Sequence, residues 1–195
     1  MAELKLPASE DAIRELTVGD YVELSGRMIT GRDAAHEWLI EEQRDEVAPY
    51  LEGTVIYHCG PVVQQNPDGS WKFVAAGPTT SIREEPYQAD VIGRYGLRGV
   101  IGKGGMGPKT LEGLGRHGAV YLHAVGGAAQ VLAAAIPRVE RVFMLEEFGV
   151  PEALWVIHVE RFPAMVSMDS RGGSLHDEVE ASSRRRLDEL LGLNG

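Results

Sequence analysis

A glycine-rich stretch with one lysine is the first segment of the sequence that could carry chemistry. GKGGMG at 102–107 directly follows a short apolar run. Glycines let the backbone turn tightly and approach a ligand closely, and the N–H groups of the loop and of the helix predicted after it favour an anion. Lys103 would add a positive charge. The same residues also suit an ordinary glycine turn with a solvated lysine.

The stretch is similar to two nucleotide-binding motifs but completes neither. A dinucleotide fingerprint requires an acid about 20 residues further on, and 116–124 (RHGAVYLHA) contains none. Pro108 stands before Lys109 and Thr110, which shifts the P-loop pattern by one position and removes a backbone N–H. A non-catalytic nucleotide- or anion-binding module using this loop is therefore kept only as the alternative function.

Two further segments combine cations with hydroxyls or a carboxylate. GPTTSIR at 77–83 places three hydroxyls at the end of a predicted strand, just before Arg83. Guanidinium groups bind carboxylates through two hydrogen bonds, so this segment suits an organic acid, although a helix cap followed by a surface arginine would look alike. GRDAAH at 31–36 fits a helix start at which Asp33 is the cap and pairs with Arg32, with His36 packed or at the surface.

The histidines and the single cysteine do not form a recognisable metal motif. His58 and Cys59 are neighbours on a predicted strand, where adjacent side chains point to opposite faces. Because Cys59 is the only cysteine, an intrachain disulfide is impossible, and the several thiolates of an iron–sulfur cluster are missing. We expect no metal site in this chain and a buried, unreactive Cys59.

Composition narrows the class of protein. The chain has 195 residues, 44% of them apolar and 25% charged, with a formal net charge of −10, which fits one globular domain over 1–195. The negative charge argues against nucleic-acid binding but not against a small anionic substrate. The sequence has neither a long uncharged apolar run nor the features of a targeting peptide at its start. We therefore expect no membrane span and a cytoplasmic location.

The order of predicted elements indicates a mixed α/β domain. A helix at 9–16 and an alternating strand at 21–29 are followed by a helix over roughly 33–46. Strands and helices alternate through the middle of the chain, where Gly96 should end one helix. An amphipathic closing helix is predicted at about 176–192, and this alternation favours the α/β class.

Four of these segments together are similar to one enzyme family. In order, GRDAAH, YHCGPV, FVAAGPTTSIR and GVIGKGGM resemble the β region of the class I, iron–sulfur-dependent fumarases and L(+)-tartrate dehydratases. VGDYVELSG and the alanine-rich stretch also fit, so the resemblance covers roughly 4–175. It implies a swivelling β/β/α domain and the beta subunit of a hydro-lyase that reversibly hydrates fumarate to (S)-malate. L(+)-tartrate dehydration to oxaloacetate and mesaconate hydration are the alternative reactions within that family.

The resemblance also implies roles for individual residues. Arg32, Arg83 and Lys103 would bind substrate carboxylates, and Thr79 would move a proton at carbon. The [4Fe–4S] cluster would be held by the cysteines of a separate alpha subunit, in a heterotetramer. That partner would also supply the carboxylate that a threonine hydroxyl needs to act as a base. Glu84 stands where methionine is frequent in the family, and an acid beside a carboxylate clamp fits only if it points to solvent or to the partner.

Overall fold

The computed structural model describes residues 2–192 and forms a mixed α/β fold. The strands are β1 (Ala2–Leu6), β2 (Tyr21–Thr30), β3 (Val55–Tyr57), β4 (Val62–Gln65), β5 (Trp71–Ala75), β6 (Gly99–Gly102), β7 (Val120–His123), β8 (Arg138–Phe143) and β9 (Leu154–Met168). The helices are α1 (Glu10–Arg14), α2 (Asp33–Glu41), α3 (Ala48–Leu51), α4 (Gln88–Tyr95), α5 (Pro108–His117), α6 (Ala129–Ala134), α7 (Leu145–Phe148) and α8 (Leu175–Leu191). A 3₁₀ turn covers Ser81–Glu84.

The main sheet has seven strands and closes on itself. Its order is β1-β2-β3-β6-β7-β9-β8, and the first five of these strands run parallel. The long strand β9 pairs antiparallel with β7, with β8 and also with β2, which joins the two sides of the sheet into a barrel-like ring. Strands β4 and β5 form a separate hairpin. This architecture confirms the α/β class expected from the sequence.

The central strands are buried on both faces, which explains their short, continuous apolar runs. In β3, Val55 and Tyr57 belong to one apolar cluster and Ile56 to the other. The first cluster is covered by the β4–β5 hairpin and α6, and the second by α2, α4 and α5. Helices α2, α4 and α5 therefore lie on one side of the sheet, and their first turns are brought to its edge.

The parallel strands place the segments of chemical interest at one edge of the sheet. Strands β2, β3 and β6 are parallel neighbours, so their carboxyl ends lie side by side. GRDAAH follows β2, His58 and Cys59 follow β3, and GKGGMG begins at the last residue of β6. In parallel sheets ligands bind outside the carboxyl ends of the strands, so this edge is the place to look for a site.

Several helix boundaries follow the signals in the sequence. Ser9 accepts a hydrogen bond from Ala12 N and begins α1, and Gly96 ends α4 in the left-handed conformation. The closing helix is present as α8, which begins at a Ser174 cap. Within residues 2–192 no helix is both long and apolar enough to cross a membrane.

The helix predicted over 33–46 is wrong in its second half. Helix α2 ends at Glu41, and the next helix, α3, begins only at Ala48. The carbonyl groups of the last turn of α2 are bonded by side chains from elsewhere: Leu39 O by the Tyr95 hydroxyl and Ile40 O by Arg94. These tertiary contacts end the helix although the residues after Glu41 have good helix propensity.

Candidate active site

Thr79 is held between the ends of two parallel strands. Thr79 N donates to His58 O at 2.7 Å, and Lys103 N donates to Thr79 O at 3.1 Å. The next residues continue this pairing, because Ser81 N donates to Lys103 O at 3.0 Å. Segment 77–80 therefore extends the sheet beyond β3 and β6, and Thr79 and Lys103 lie next to each other.

The hydroxyl of Thr79 differs from its two neighbours. Thr79 Oγ1 is buried and has no hydrogen-bond partner among residues 2–192, whereas Thr80 is exposed. Ser81 is fully buried, but its Oγ already contacts His58 Nδ1 at 2.8 Å and receives a bond from the Tyr121 hydroxyl at 2.9 Å. An unpartnered buried hydroxyl costs about 1–3 kcal/mol. Of the three hydroxyls, that of Thr79 is thus the one that is both buried and without a partner among residues 2–192.

Arg32 is the residue before α2 and is paired with an acid from a distant segment. Its Nη1 lies 2.9 Å from Glu152 Oε1, and Glu152 Oε2 also accepts a bond from Ala34 N at 3.3 Å. Glu152 therefore both caps α2 and neutralises the charge of Arg32. A Cβ at Gly60 would come within 2.9 Å of Arg32 Nη1, so the glycine after β3 leaves room for the guanidinium. The expectation that Asp33 would cap α2 and pair with Arg32 is wrong, because the Asp33 carboxylate pairs with Arg83.

Arg83 lies on the 3₁₀ turn and is the most exposed of the three predicted cations. It donates to Asp33 Oδ2, the residue directly after Arg32, so this ion pair ties the 3₁₀ turn to the start of α2. Arg32 and Arg83 are thereby brought to the same helix start. Because Thr79 is only four residues before Arg83 and bonds to Lys103, all four predicted residues lie at one edge of the sheet.

Within the part of the chain that the structure describes, Lys103 is the predicted cation without an acid partner. Among residues 2–192 no carboxylate lies within 4.0 Å of its ammonium group, whereas Arg32 and Arg83 each have one. A Cβ at Gly126, in the loop after β7, would lie 3.8 Å from Lys103 Cδ. Of the three predicted cations, Lys103 is therefore the one whose charge is least neutralised by residues 2–192.

The glycine loop turns as expected, but the helix after it is not open to an anion. Gly104 and Gly105 have φ of +85° and +79°, and a Cβ on Gly105 would lie 2.5 Å from the His176 ring. Glu85 occupies the start of α5, accepting from Gly107 N at 2.8 Å, Thr110 N at 3.2 Å and Thr110 Oγ1 at 2.6 Å. The prediction that this helix start would help to bind an anion is therefore wrong. The same contacts disfavour the alternative nucleotide- or anion-binding module.

A buried polar network of His36, His58 and Gln88 lies beneath this edge of the sheet. His36 Nδ1 faces Arg32 O at 2.8 Å, and both His36 and His58 direct Nε2 toward the side-chain amide of Gln88, at 2.9 and 2.7 Å. Burial lowers the pKa of both imidazoles, so both are neutral. A carbonyl only accepts, so His36 carries its proton on Nδ1 and its Nε2 needs a donor. We therefore assign the Gln88 amide nitrogen, not its oxygen, to the side facing the rings.

The expectation that Glu84 points to solvent or to the partner is wrong. Its side chain is completely buried, with Oε2 3.9 Å from His58 Nδ1. Neither of its oxygens has a donor among residues 2–192. Burial, together with the neighbouring Asp33, raises the pKa of Glu84 to about 8, so it is protonated at neutral pH. It adds no negative charge to the site under those conditions.

Cys59 is a packing residue. It is fully buried, and burial raises the pKa of its thiol to about 12, so it is not a thiolate at neutral pH. Within residues 2–192 no three histidine, cysteine, aspartate or glutamate side chains come close enough to hold a metal ion. The chain's own residues therefore do not fit an iron–sulfur cluster, which requires several thiolates.

The sequence did not reveal the roles of four residues that build this edge. Gln88, Glu85 and Glu152 act through contacts between residues 22 to 118 positions apart, and Glu84 acts through its burial. A motif records only residues close together in sequence, so such contacts have no signature in it. The one local signal was Glu84, an acid at an unexpected position.

Comparison with known proteins identifies the family of this chain. The model of the family described as "Fumarase C-terminus" matches residues 1–179. The chain belongs to this family. The match covers both strand ends of the candidate site and ends within α8.

Relatives of this Fumarase C-terminus chain include longer and equally long proteins. It is 54% identical over 188 residues to a Geobacillus stearothermophilus protein named "Putative fumarate hydratase class I", covering 96% of this chain and 36% of that protein. It is 41% identical to a Methanocaldococcus jannaschii protein named "Putative L(+)-tartrate dehydratase subunit beta", covering 93% and 94%. It is 38% identical to the "L(+)-tartrate dehydratase subunit beta" of Escherichia coli K12, covering 96% and 92%. The chain thus spans about a third of the first relative and nearly all of the other two.

Proposed function

We propose that this chain is the beta subunit of a two-subunit hydro-lyase that reversibly hydrates fumarate to (S)-malate. The observation that carries the proposal is the buried Thr79 hydroxyl, which has no partner among residues 2–192, in a residue bonded to Lys103 at the edge where Arg32 and Arg83 also lie. Membership of the family and 54% identity to a protein named for fumarate hydration support this choice of substrate. We place the enzyme in the cytoplasm.

The three cations suit a dicarboxylate. Hydration of an alkene between two carboxylates builds negative charge next to one of them in the transition state, and fixed cations stabilise it. Lys103 has no acid partner among the described residues, so it can bind a carboxylate without giving up an ion pair. Arg32 and Arg83 are held by Glu152 and Asp33, and each guanidinium has further N–H groups for a substrate. Together the three residues would bind and orient both ends of the substrate.

Thr79 is assigned the proton transfer at carbon. A threonine hydroxyl is a weak base at neutral pH and needs a neighbouring carboxylate to accept its proton. Its Oγ1 has no partner among residues 2–192, so we infer that the carboxylate comes from another polypeptide. The backbone bonds to His58 O and from Lys103 N fix the main chain of the residue, so that its Cα is in place before substrate binds.

The partner in this proposal is an alpha subunit that carries the [4Fe–4S] cluster. The single, buried cysteine of this chain supports that location, since its own residues do not fit a cluster. Two relatives of the same length are named as beta subunits, which supports a separate partner chain. We propose that the two subunits form a heterotetramer and that the alpha subunit closes over the edge containing Thr79.

L(+)-tartrate dehydration to oxaloacetate is the second candidate reaction. The two relatives that this chain covers almost completely are both named for it, whereas the relative named for fumarate hydration is much longer. The same clamp of Arg32, Arg83 and Lys103 suits fumarate, tartrate and mesaconate, because all three are dicarboxylates. Discrimination between them would depend on groups near the second carbon, in the partner subunit.

Reconstitution tests the function directly. The purified chain is mixed with its candidate alpha subunit, iron and sulfide without oxygen, and hydration of fumarate and mesaconate and dehydration of L(+)-tartrate are measured. We expect a complex that forms malate from fumarate and loses activity in air, and an inactive mixture with Thr79→Val. Turnover by this chain alone after exhaustive chelation, or no activity of the complex on any dicarboxylate, would overturn the proposal.

A further inference from the structure

Glu84 and Asp33 form a buried acid pair behind Arg83. Glu84 is fully buried, and neither of its oxygens has a hydrogen-bond donor among residues 2–192. Asp33 Oδ2 binds Arg83, but Asp33 Oδ1 is buried and also lacks a donor. Glu84 directly follows Arg83, which is bonded to Asp33, and the 3₁₀ turn packs against α2, so the two carboxyl groups lie close together. Two ionised carboxylates offer each other only acceptors, so a single proton between them would satisfy both.

We propose that Glu84 is a positioning residue, which holds the Asp33–Arg83 ion pair through a shared proton and so fixes the direction in which Arg83 meets a substrate carboxylate. This inference rests on the proposed function, because it assigns Arg83 to carboxylate binding. Glu84 itself does not contact the substrate. Its proton donates to Asp33, Asp33 accepts from Arg83, and the remaining N–H groups of the guanidinium stay available.

The groups around Glu84 explain why it holds its proton. Asp33 faces it from α2, His58 from the segment after β3, and Tyr121 from β7, while Arg83 is its neighbour in the 3₁₀ turn. His58 is neutral because burial lowers its pKa, and Arg83 is engaged with Asp33. An ionised Glu84 would therefore be a buried charge without a partner, which is strongly disfavoured.

The shared proton makes the position of Arg83 depend on pH. Burial and the charge of Asp33 raise the pKa of Glu84 to about 8. Burial alone would raise the pKa of Asp33 too, but the bond from Glu84 and the charge of Arg83 hold it below its ordinary value. Below about pH 8 the pair carries one negative charge. Above it a second charge appears beside Asp33, the shared proton is lost, and both anions compete with the substrate for Arg83.

The first experiment measures the proton and the arginine without any activity. The full chain is labelled with ¹³C at the glutamate carboxyl, and the Glu84 signal is assigned by its loss in Glu84→Gln. We expect a titration midpoint near 8, and a lower midpoint in Asp33→Asn. The ¹⁵N signal of the Arg83 side chain should shift over the same pH range in the wild type and not in Glu84→Gln. A Glu84 midpoint among those of the surface glutamates would overturn the proposal.

The second experiment uses the reconstituted complex and its KM for the dicarboxylate. In the wild type, KM should rise above about pH 8, where Glu84 loses its proton. Glu84→Gln keeps a donor for Asp33 without a charge, so its KM at pH 7 should stay within about twofold of the wild-type value and should not rise above about pH 8. Glu84→Met removes the donor, so KM should rise about tenfold with kcat less affected. Glu37→Gln, an exposed change on α2, is the matched control.

The outcomes separate this inference from the proposed function. If Glu84→Met and Glu84→Gln both keep the KM and the pH profile of the wild type, Glu84 does not position Arg83. If the complex acts on no dicarboxylate, the proposed function fails. The carboxyl and arginine titrations of the isolated chain then still decide whether Glu84 shares a proton and holds Arg83.

Discussion

The starts of α2 and α5 lie at the same edge of the sheet and are capped in the same way, yet their cations differ. Each helix start is bonded by a glutamate from a distant segment, Glu152 at α2 and Glu85 at α5. Glu152 also pairs with Arg32, the cation of its loop. Glu85 instead accepts only from Gly107, the N-cap of α5, and from Thr110 in its first turn. Lys103 therefore has no acid partner among the described residues.

This difference shows that a glycine loop before a helix is not enough to define an anion site. The N–H groups at a helix start attract any nearby carboxylate, and in both places the chain supplies its own. Whether the neighbouring cation can still bind a ligand depends on whether that carboxylate also pairs with it. Lys103 is available for this reason, and Arg32 has to be shared with Glu152.

The largest effect is expected at Thr79, which is bonded to Lys103 at this edge of the sheet. Thr79→Val keeps the shape of the side chain and removes its hydroxyl, so kcat of the complex should fall by about a thousandfold, with little change in KM. Thr80→Val is the matched control, because Thr80 is exposed. Steady-state kinetics with fumarate and malate measures both. An active Thr79→Val with an inactive Thr80→Val would mean that the neighbouring threonine moves the proton.

Removal of the Lys103 cation is expected to have the next largest effect. Lys103→Ala should lower kcat/KM by at least about a hundredfold, or roughly 2.7 kcal/mol, because a charged contact to the transition state is lost. Arg32→Ala and Arg83→Ala should reach a similar loss. Lys109→Ala is the control, since Lys109 lies on α5 but is paired with Asp90. Thermal unfolding should confirm that each variant folds, and near-normal turnover of the three site variants would place the site elsewhere.

Loss of the α5 cap should act on stability. Glu85→Ala leaves Gly107 N, Thr110 N and the Thr110 hydroxyl without their acceptor, so the free energy of unfolding should fall by about 2 kcal/mol. Urea unfolding measures this change. Glu112→Ala, an exposed position on the same helix, should alter the free energy of unfolding by less than about 0.5 kcal/mol. Equal stabilities of the two variants would show that Glu85 is not a significant cap.

Much of the fold could be predicted from the sequence because its signals are local. Ser9 begins α1, Gly96 ends α4, and the apolar runs at β3 and β6 are strands. The candidate residues were found as hydroxyls and cations in the segments that follow strands. Parallel pairing of β2, β3 and β6 places the loops of Arg32 and Lys103 at one edge, whereas Thr79 and Arg83 are held there by bonds to neighbouring segments.

The charge state of the site could not be predicted, because it depends on contacts between remote segments. Ala34 and Glu152 are 118 residues apart, and Glu85 and Thr110 are 25 apart. No spacing rule connects such pairs, so Asp33 was expected to cap α2 and pair with Arg32. The end of α2 was misjudged for the same reason, since Arg94 and Tyr95 reach its last carbonyls from α4.

The smallest effect is expected from neutralising the acid that Arg32 shares. Glu152→Gln keeps an oxygen to accept from Ala34 N but removes the charge that competes with the substrate for Arg32. We expect KM for the dicarboxylate to fall about threefold, with kcat unchanged, because less ion-pair energy is given up on binding. Glu85→Gln is the matched control and should leave KM unaltered, since Glu85 contacts no cation of the site. If Glu152→Gln instead raises KM, Glu152 orients Arg32 for the substrate. In that case α2 and α5 both leave their cation able to bind substrate, and they differ only in whether a glutamate orients it.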